Sequence, residues 1–297
     1  METGKVTESE DILFDSLQAL YDYQPITLTT YGAPFTYDLK SCPLRHEHTQ
    51  RCAQPVTISL HTPDTDAANW ALHASSIWAS SIYLADHLID LNIQNHIAQK
   101  SPSSNETKSP VRILELGASA GLPSILIAKL HPDPDAVLVT ASDYPDEKLI
   151  RTLSENVEQN AVSQSCRVLP YAWGSDPVAL LDGTDGFDLV IATDTLWNPE
   201  LHDIYISALK ATLRKSCTAR AHMVVGLHTG RYTIESFLTK VVQSGFDLES
   251  TSEKESNGEL VRDWDVSRAE EEDERERRKW VIWIQLKWTK QYVVLQG

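Results

Sequence analysis

The stretch Val111-Arg-Ile-Leu-Glu-Leu-Gly-Ala-Ser-Ala-Gly-Leu-Pro123 decides the fold. An apolar run of strand length enters Gly117, small residues fill 118–120, and Gly121 precedes a helix with Pro123 in its first turn. Small residues let the backbone approach a ligand closely, and a helix N-terminus offers N–H groups without intrahelical partners. From this turn towards the C-terminus, strand-like and helical runs alternate. The pattern predicts strands over 111–116, 136–141, 167–171, 187–193 and 222–227, and helices over 122–130, 146–160, 199–215 and 231–244. Alternation of this length implies parallel strands with helices on both faces, an open α/β sheet. Residues 247–262 and 279–295 are strand-like without crossover helices, and predict an antiparallel pair closing the sheet edge.

Towards the N-terminus the pattern changes. Residues 11–21 place Leu13, Phe14, Leu17, Leu20 and Tyr21 on one helical face, and the runs 26–31 and 56–61 alternate apolar residues with Thr or Ser. These runs predict an antiparallel accessory pair. Residues 69–91 predict a helix, and the polar stretch Lys100–Pro110 a loop. The expected division is an accessory region over 1–68 and a ligand-binding domain over 69–297.

Composition narrows the function. The 297 residues carry 26 Lys plus Arg against 42 Asp plus Glu, a formal charge of −16. Such a chain lacks the basic face that phosphate neutralisation or a polybasic membrane contact needs. Cys42, Cys52, Cys166 and Cys217 are too few and too scattered for a disulfide framework. With no apolar leader at the start and no membrane-length apolar run, the expectation is a soluble, cytoplasmic protein.

Two ligand classes fit the glycine turn. A dinucleotide wants G-x-G-x-x-G, but Ser119 and Leu122 stand at its second and third glycine positions, and no base lies nearby. S-adenosylmethionine carries no phosphate, and its acidic-hydrophobic-G-x-G-x-G loop matches Glu115–Gly121 with Ser119 for the middle glycine. The next strand ends near Asp143, placed to accept the hydroxyls of a ribose or, more plainly, to cap the helix after Pro145.

From Trp70 onward the chain resembles a fungal group of class I, seven-strand methyltransferases of the nicotinamide N-methyltransferase-like kind. That group lies within the wider family 16, which also holds lysine and N-terminal protein methyltransferases. The matching motifs are His73–Leu88, Ile113–Ser124, Ser142-Asp-Tyr-Pro-Asp146, Tyr171-Ala-Trp-Gly174, Asp194-Thr-Leu-Trp-Asn198 and His228-Thr-Gly-Arg231. The resemblance implies a Rossmann-like, mostly parallel seven-strand sheet and S-adenosyl-L-methionine as cofactor. It implies that Trp78 borders the cofactor and that Gly117, Ala118 and Ser119 hold its methionine part. It also gives Asp143 the ribose, Trp173 the adenine and Thr193 a contact at the end of the fourth strand.

In such a sheet the acceptor faces the segments after the fourth and fifth strands. Asp194, His202 and His228 are the groups able to take a proton from an amine, Asp194 and His228 being the candidates retained. His202 is expected to face solvent. Trp197, Asn198 and Arg231 are candidate acceptor-binding residues, with Asn198 alternatively capping the helix that Pro199 opens. The expected acceptor is a small-molecule nitrogen, nicotinamide-like or from secondary metabolism. The alternative is a protein lysine or N-terminal amine of a translation elongation factor, as in family relatives. Outside that class stand a nicotinamide-dinucleotide oxidoreductase and an inactive, methyltransferase-like interaction module.

Three features are expected to be structural. Cys42, His46, His48 and Cys52 lie within eleven residues, but their spacing favours an irregular loop over a metal site. Strand alternation over 280–288 sends Trp280, Ile282, Ile284, Leu286 and Trp288 to one buried face and Trp283 to the other. The pairs Glu271/Arg275, Asp273/Arg277 and Glu274/Arg278 predict a solvated, salt-bridged helix.

Overall fold

The computed structural model describes residues 26–39, 55–100 and 109–293. The expected helix over 11–21 and the segment carrying Cys42, His46, His48 and Cys52 lie outside the described residues.

The strands are β1 (Pro34–Asp38), β2 (Thr57–His61), β3 (Val111–Leu116), β4 (Val137–Asp143), β5 (Cys166–Pro170), β6 (Leu189–Thr193), β7 (Arg220–Gly226), β8 (Phe246–Glu255), β9 (Val261–Asp263) and β10 (Trp280–Trp288). The helices are α1 (Ala79–Asp86), α2 (Ile93–Gln99), α3 (Leu122–Leu130), α4 (Glu147–Gln159), α5 (Val178–Leu181), α6 (His202–Thr212), α7 (Arg231–Gln243) and α8 (Glu274–Arg278). β1 and β2 form an antiparallel hairpin. The main sheet runs β5-β4-β3-β6-β7-β10-β8-β9. β3 to β7 are parallel, and β10 joins β7 and β8 antiparallel. This is the Rossmann-like class I methyltransferase fold, with one strand more than the seven expected: the short β9 pairs with β8 at the edge. Strand order reverses between β3 and β6, so a crevice opens at their carboxyl ends.

Two apolar cores flank the sheet, and alternation along each strand feeds both. Ile113 packs with α1 and α3, whereas Leu114 and Leu116 pack with α6 and α7. In β10, Val281 and Trp283 enter the first core, and Trp280, Ile282, Ile284, Leu286 and Trp288 the second, as the alternation requires.

The N-terminal third departs from expectation in two places. The strand that pairs with β2 is Pro34–Asp38, not 26–31. Residues 26–28 instead pair with the segment before α1: Leu28 N donates to Ile77 O, Ala79 N donates to Ile26 O, and Thr27 bridges Trp78. That pairing also breaks the expected helix over 69–91. A 3-10 turn at Ala67–Leu72 ends in left-handed His73, the chain bends at 75–76 and is extended at Trp78, and α1 starts only at Ala79. Non-local backbone pairing outweighs the local helical period here.

The acidic run near the C-terminus is also only partly as expected. α8 holds the Glu274–Arg278 pair but is too short for the other two, Glu271 and Asp273 lying before its first residue. Asp273 caps the helix by accepting from Glu276 N. Glu272 turns inward to Arg231 and Arg262.

Candidate functional site

At the carboxyl ends of β3, β4 and β6 lies a cleft with about 1050 Å³ of empty space, its open mouth included. Trp78, Gly117, Ala118, Ser119, Asp143, Trp173, Thr193, Asp194 and Trp197 all line it. Chain segments more than a hundred residues apart therefore converge on one site.

Gly117 takes φ +74°, and a Cβ there would stand 2.9 Å from Thr195 Cγ2. Both the backbone conformation and the space demand glycine. Ser119 also takes a positive φ, +49°, unusual for a residue with a Cβ. Its neighbours hold it there. Ser119 N donates to Asp143 Oδ2 at 2.6 Å, and Ser119 Oγ donates to Ala74 O at 2.6 Å. The hydroxyl that replaces the motif's middle glycine thus ties the turn to the extended segment before α1.

Asp143 is buried, and each carboxylate oxygen accepts one backbone N–H, Oδ2 from Ser119 and Oδ1 from Tyr144. Each keeps acceptor capacity for a hydroxyl. Burial pushes its carboxyl up to about 6, against the pull of those two N–H groups. Asp143 is not the helix cap: Asp146 caps α4, accepting from Lys148 N and Leu149 N. Behind the turn, Glu115 is fully buried, with Oε2 accepting from Ser124 N and Oγ, while Oε1 has no partner. Burial pushes its carboxyl up to about 8.

These residues fit S-adenosylmethionine better than a dinucleotide. The lining contains Asp143 and Asp194 and no Lys or Arg, which suits a sulfonium and leaves a pyrophosphate uncompensated. Ile77, Leu122, Trp173 and Ile204 give the lining apolar surface of the kind a flat base packs against. Trp173 is fixed edge-on against buried Tyr205, with ring centroids 4.8 Å apart.

The acceptor side is built from β6, β7 and α1. Asp194 is 8% exposed and takes φ +50°, a conformation Asp tolerates better than most residues. Its Oδ1 accepts from Gly226 N at 2.7 Å, and its Oδ2 accepts from Ser80 Oγ in a short hydrogen bond. Burial raises this carboxyl above its ordinary range, against the pull of His228, Ser80 and Gly226. His228 stacks on Trp78 at 5.3 Å, and His73 meets Trp197 edge-on at 4.8 Å. Ser80 and His73 both lie in the His73–Leu88 motif, but nothing in the sequence pairs Ser80 with Asp194, 114 residues further on.

Two expectations, those for Arg231 and His202, fail on geometry, and for Asn198 the alternative role as a cap is the one the structure shows. Arg231 does not reach the cleft: at 1% exposure it binds Glu253 and Glu272 at 2.5 and 2.7 Å. Asn198 serves as a cap, its side chain accepting from Glu200 N. His202 is 1% exposed rather than solvent-facing, with Nε2 on Leu196 O.

Residues 66–244 match the family model described as lysine methyltransferase, methyltransferase family 16. The chain belongs to this family. It is an S-adenosylmethionine-dependent methyltransferase. A protein N-terminal and lysine N-methyltransferase of Schizosaccharomyces pombe is 28% identical over 192 residues, 62% of this chain and 69% of that relative. The namesake from Candida glabrata is 35% identical over 46% of this chain and 49% of its own length. That of Cryptococcus neoformans is 38% identical over 55% and 54%. The chain thus spans about half to two thirds of the length of the relatives it matches. These findings correct the expected acceptor. The relatives are named as methyltransferases of protein N-termini and lysines, so a small-molecule, nicotinamide-like nitrogen no longer stands. Among the described residues, no helix is long and apolar enough to cross a membrane.

Proposed function

We propose that the chain methylates an amine nitrogen of a protein, a lysine side chain or an N-terminus, with a translation elongation factor as the substrate the family resemblance points to. The observation that carries this reading is the buried Asp194 carboxylate on the cleft wall, among Trp78, Trp197 and His228. The cofactor supplies a methyl group on a positively charged sulfur. Asp143 would hold the ribose hydroxyls, the turn from Gly117 to Ser119 would cradle the methionine part, Trp173 would cover the base, and Thr193 and Trp78 would border the reacting end.

An amine attacks only with its lone pair free, so a proton must leave the nitrogen. The ammonium gives that proton up to solvent on entering the cleft, and an N–H that remains donates to Asp194 in a charge-assisted hydrogen bond that orients the lone pair. Ser80 and Gly226 N fix the carboxylate so that it does not swing away. The nitrogen that has gained the methyl group carries a positive charge. The faces of Trp197 and Trp78 and the Asp194 carboxylate stabilise it there. Catalysis is chiefly positioning.

The test is transfer of labelled methyl groups into a cell extract separated into protein and small-molecule fractions. Label is expected in protein, at a lysine or an N-terminal residue by mass spectrometry. Label confined to small molecules would overturn the reading.

A further inference from the structure

We propose that Asn156 is a positioning residue for the glycine turn, tying the cofactor cradle to the N-terminal hairpin; this rests on reading that turn as the cradle. Asn156 is fully buried on α4, outside the cleft. Its Oδ1 accepts from His61 N at 2.8 Å, and its Nδ2 donates to His61 O at 2.8 Å and to Ala120 O at 3.0 Å. One side chain therefore spans β2 and the loop that lines the cleft.

The arrangement is a ladder. Asn160, one helical turn on, accepts from Ser59 N at 3.0 Å and donates to Ser59 O at 2.7 Å. Four residues of helix advance about 6 Å, and two residues of strand about 6.6 Å, so Asn156 and Asn160 face His61 and Ser59 in register. Two side-chain amides thus stand where a further strand would pair with the edge of β2. Asn160 Nδ2 also donates to Asn156 O, and of the two side chains only that of Asn156 reaches the glycine turn.

That bond matters because the turn is not relaxed. Ser119 holds a left-handed conformation that glycine would take at no cost, and such a residue persists only where its surroundings over-determine it. Asp143 fixes Ser119 N, Ala74 fixes Ser119 Oγ, and Asn156 fixes the next carbonyl, Ala120 O. Ala120 itself lines the cleft. Loss of the Asn156 clamp lets the turn relax away from the shape that fits the cofactor, and the cost falls on affinity rather than chemistry.

Asn160→Ala is the matched control, since it cuts the hairpin rung and leaves the turn untouched. Calorimetric titration of the full chain with S-adenosylhomocysteine is expected to give a Kd about fivefold to tenfold weaker for Asn156→Ala. For Asn160→Ala the expected change is within about twofold, with similar falls in melting temperature for both. For Asn156→Ala, kcat at saturating cofactor stays near wild type while KM for the cofactor rises. Equal Kd values in the two variants would overturn the proposal. In the wild-type protein, cofactor is expected to slow amide exchange in β2, which does not line the cleft; unchanged exchange would also overturn it, even if Asn156→Ala fails to fold. Asp143→Ala run beside them separates the premises. If it loses binding while the Asn variants match, only the Asn156 role fails; if it binds like wild type, the cradle reading and this inference fall together.

Discussion

The two walls of the cleft are built differently. The wall proposed for the cofactor is mostly backbone: Gly117 and Ser119 take positive φ angles, and bonds to Asp143, Ala74 and Asn156 hold Ser119 and Ala120. The acceptor wall is mostly side chains, Asp194 and Trp197 on the loop after β6, backed from outside the lining by Ser80 on α1 and His228 after β7. A backbone cradle binds one constant ligand. A wall of side chains can be exchanged among relatives without disturbing the fold, which is why a shared fold leaves the acceptor open.

The division can be broken by substitution. Asp194→Asn is expected to lower kcat by about 10²–10⁴-fold, with the cofactor Kd little changed. A parallel loss of cofactor affinity in titration would erase the separation of walls. Asp143→Ala should do the reverse, weakening cofactor binding by about 100-fold through loss of charge-assisted hydrogen bonds. Trp197→Ala is expected to raise KM for the acceptor by about tenfold at unchanged cofactor Kd.

Acidity probes the same contrast. The Asp143 carboxyl is pushed up to about 6, so it takes up a proton as pH falls through that value and loses its strength as an acceptor. Cofactor affinity should therefore fall between pH 7.5 and pH 5, a trend that Asp143→Asn would flatten.

Glu115, behind the cofactor wall, gives the smallest effect, and it is one of stability. Its folded-state carboxyl is pushed up to about 8, so between the ordinary value and 8 the folded chain keeps a proton that the unfolded chain gives up. This contribution is full below about 4.5, the ordinary glutamate range, and is lost as pH rises through 8. Glu115→Gln should melt closer to wild type at pH 5 and above it at pH 8; parallel melting curves would remove the effect.

Much of the cleft lining was legible in the sequence because its signals are local. Gly117, the small residues after it and the acid ending the next strand follow from what a strand–turn–helix must do to approach a ligand. The acceptor wall was less legible. Asp194 and Trp197 were found by their place after a strand, but Arg231 and His202 have side chains whose direction depends on what packs against them. Arg231 is drawn into Glu253 and Glu272, and His202 into the core beside Phe237.

The sequence by itself determined the alternation of strands and helices, the two-faced burial of β3 and β10, and the glycine turn. These depend on periods of two and 3.6 residues and on backbone conformations that few residues permit. Only the tertiary structure decided that residues 26–28 pair with the segment before α1, that Ser80 meets Asp194, and that Asn156 joins the hairpin to the turn. Each is a single hydrogen-bonded meeting of distant segments, and its free energy exists only once the sheet has brought them together.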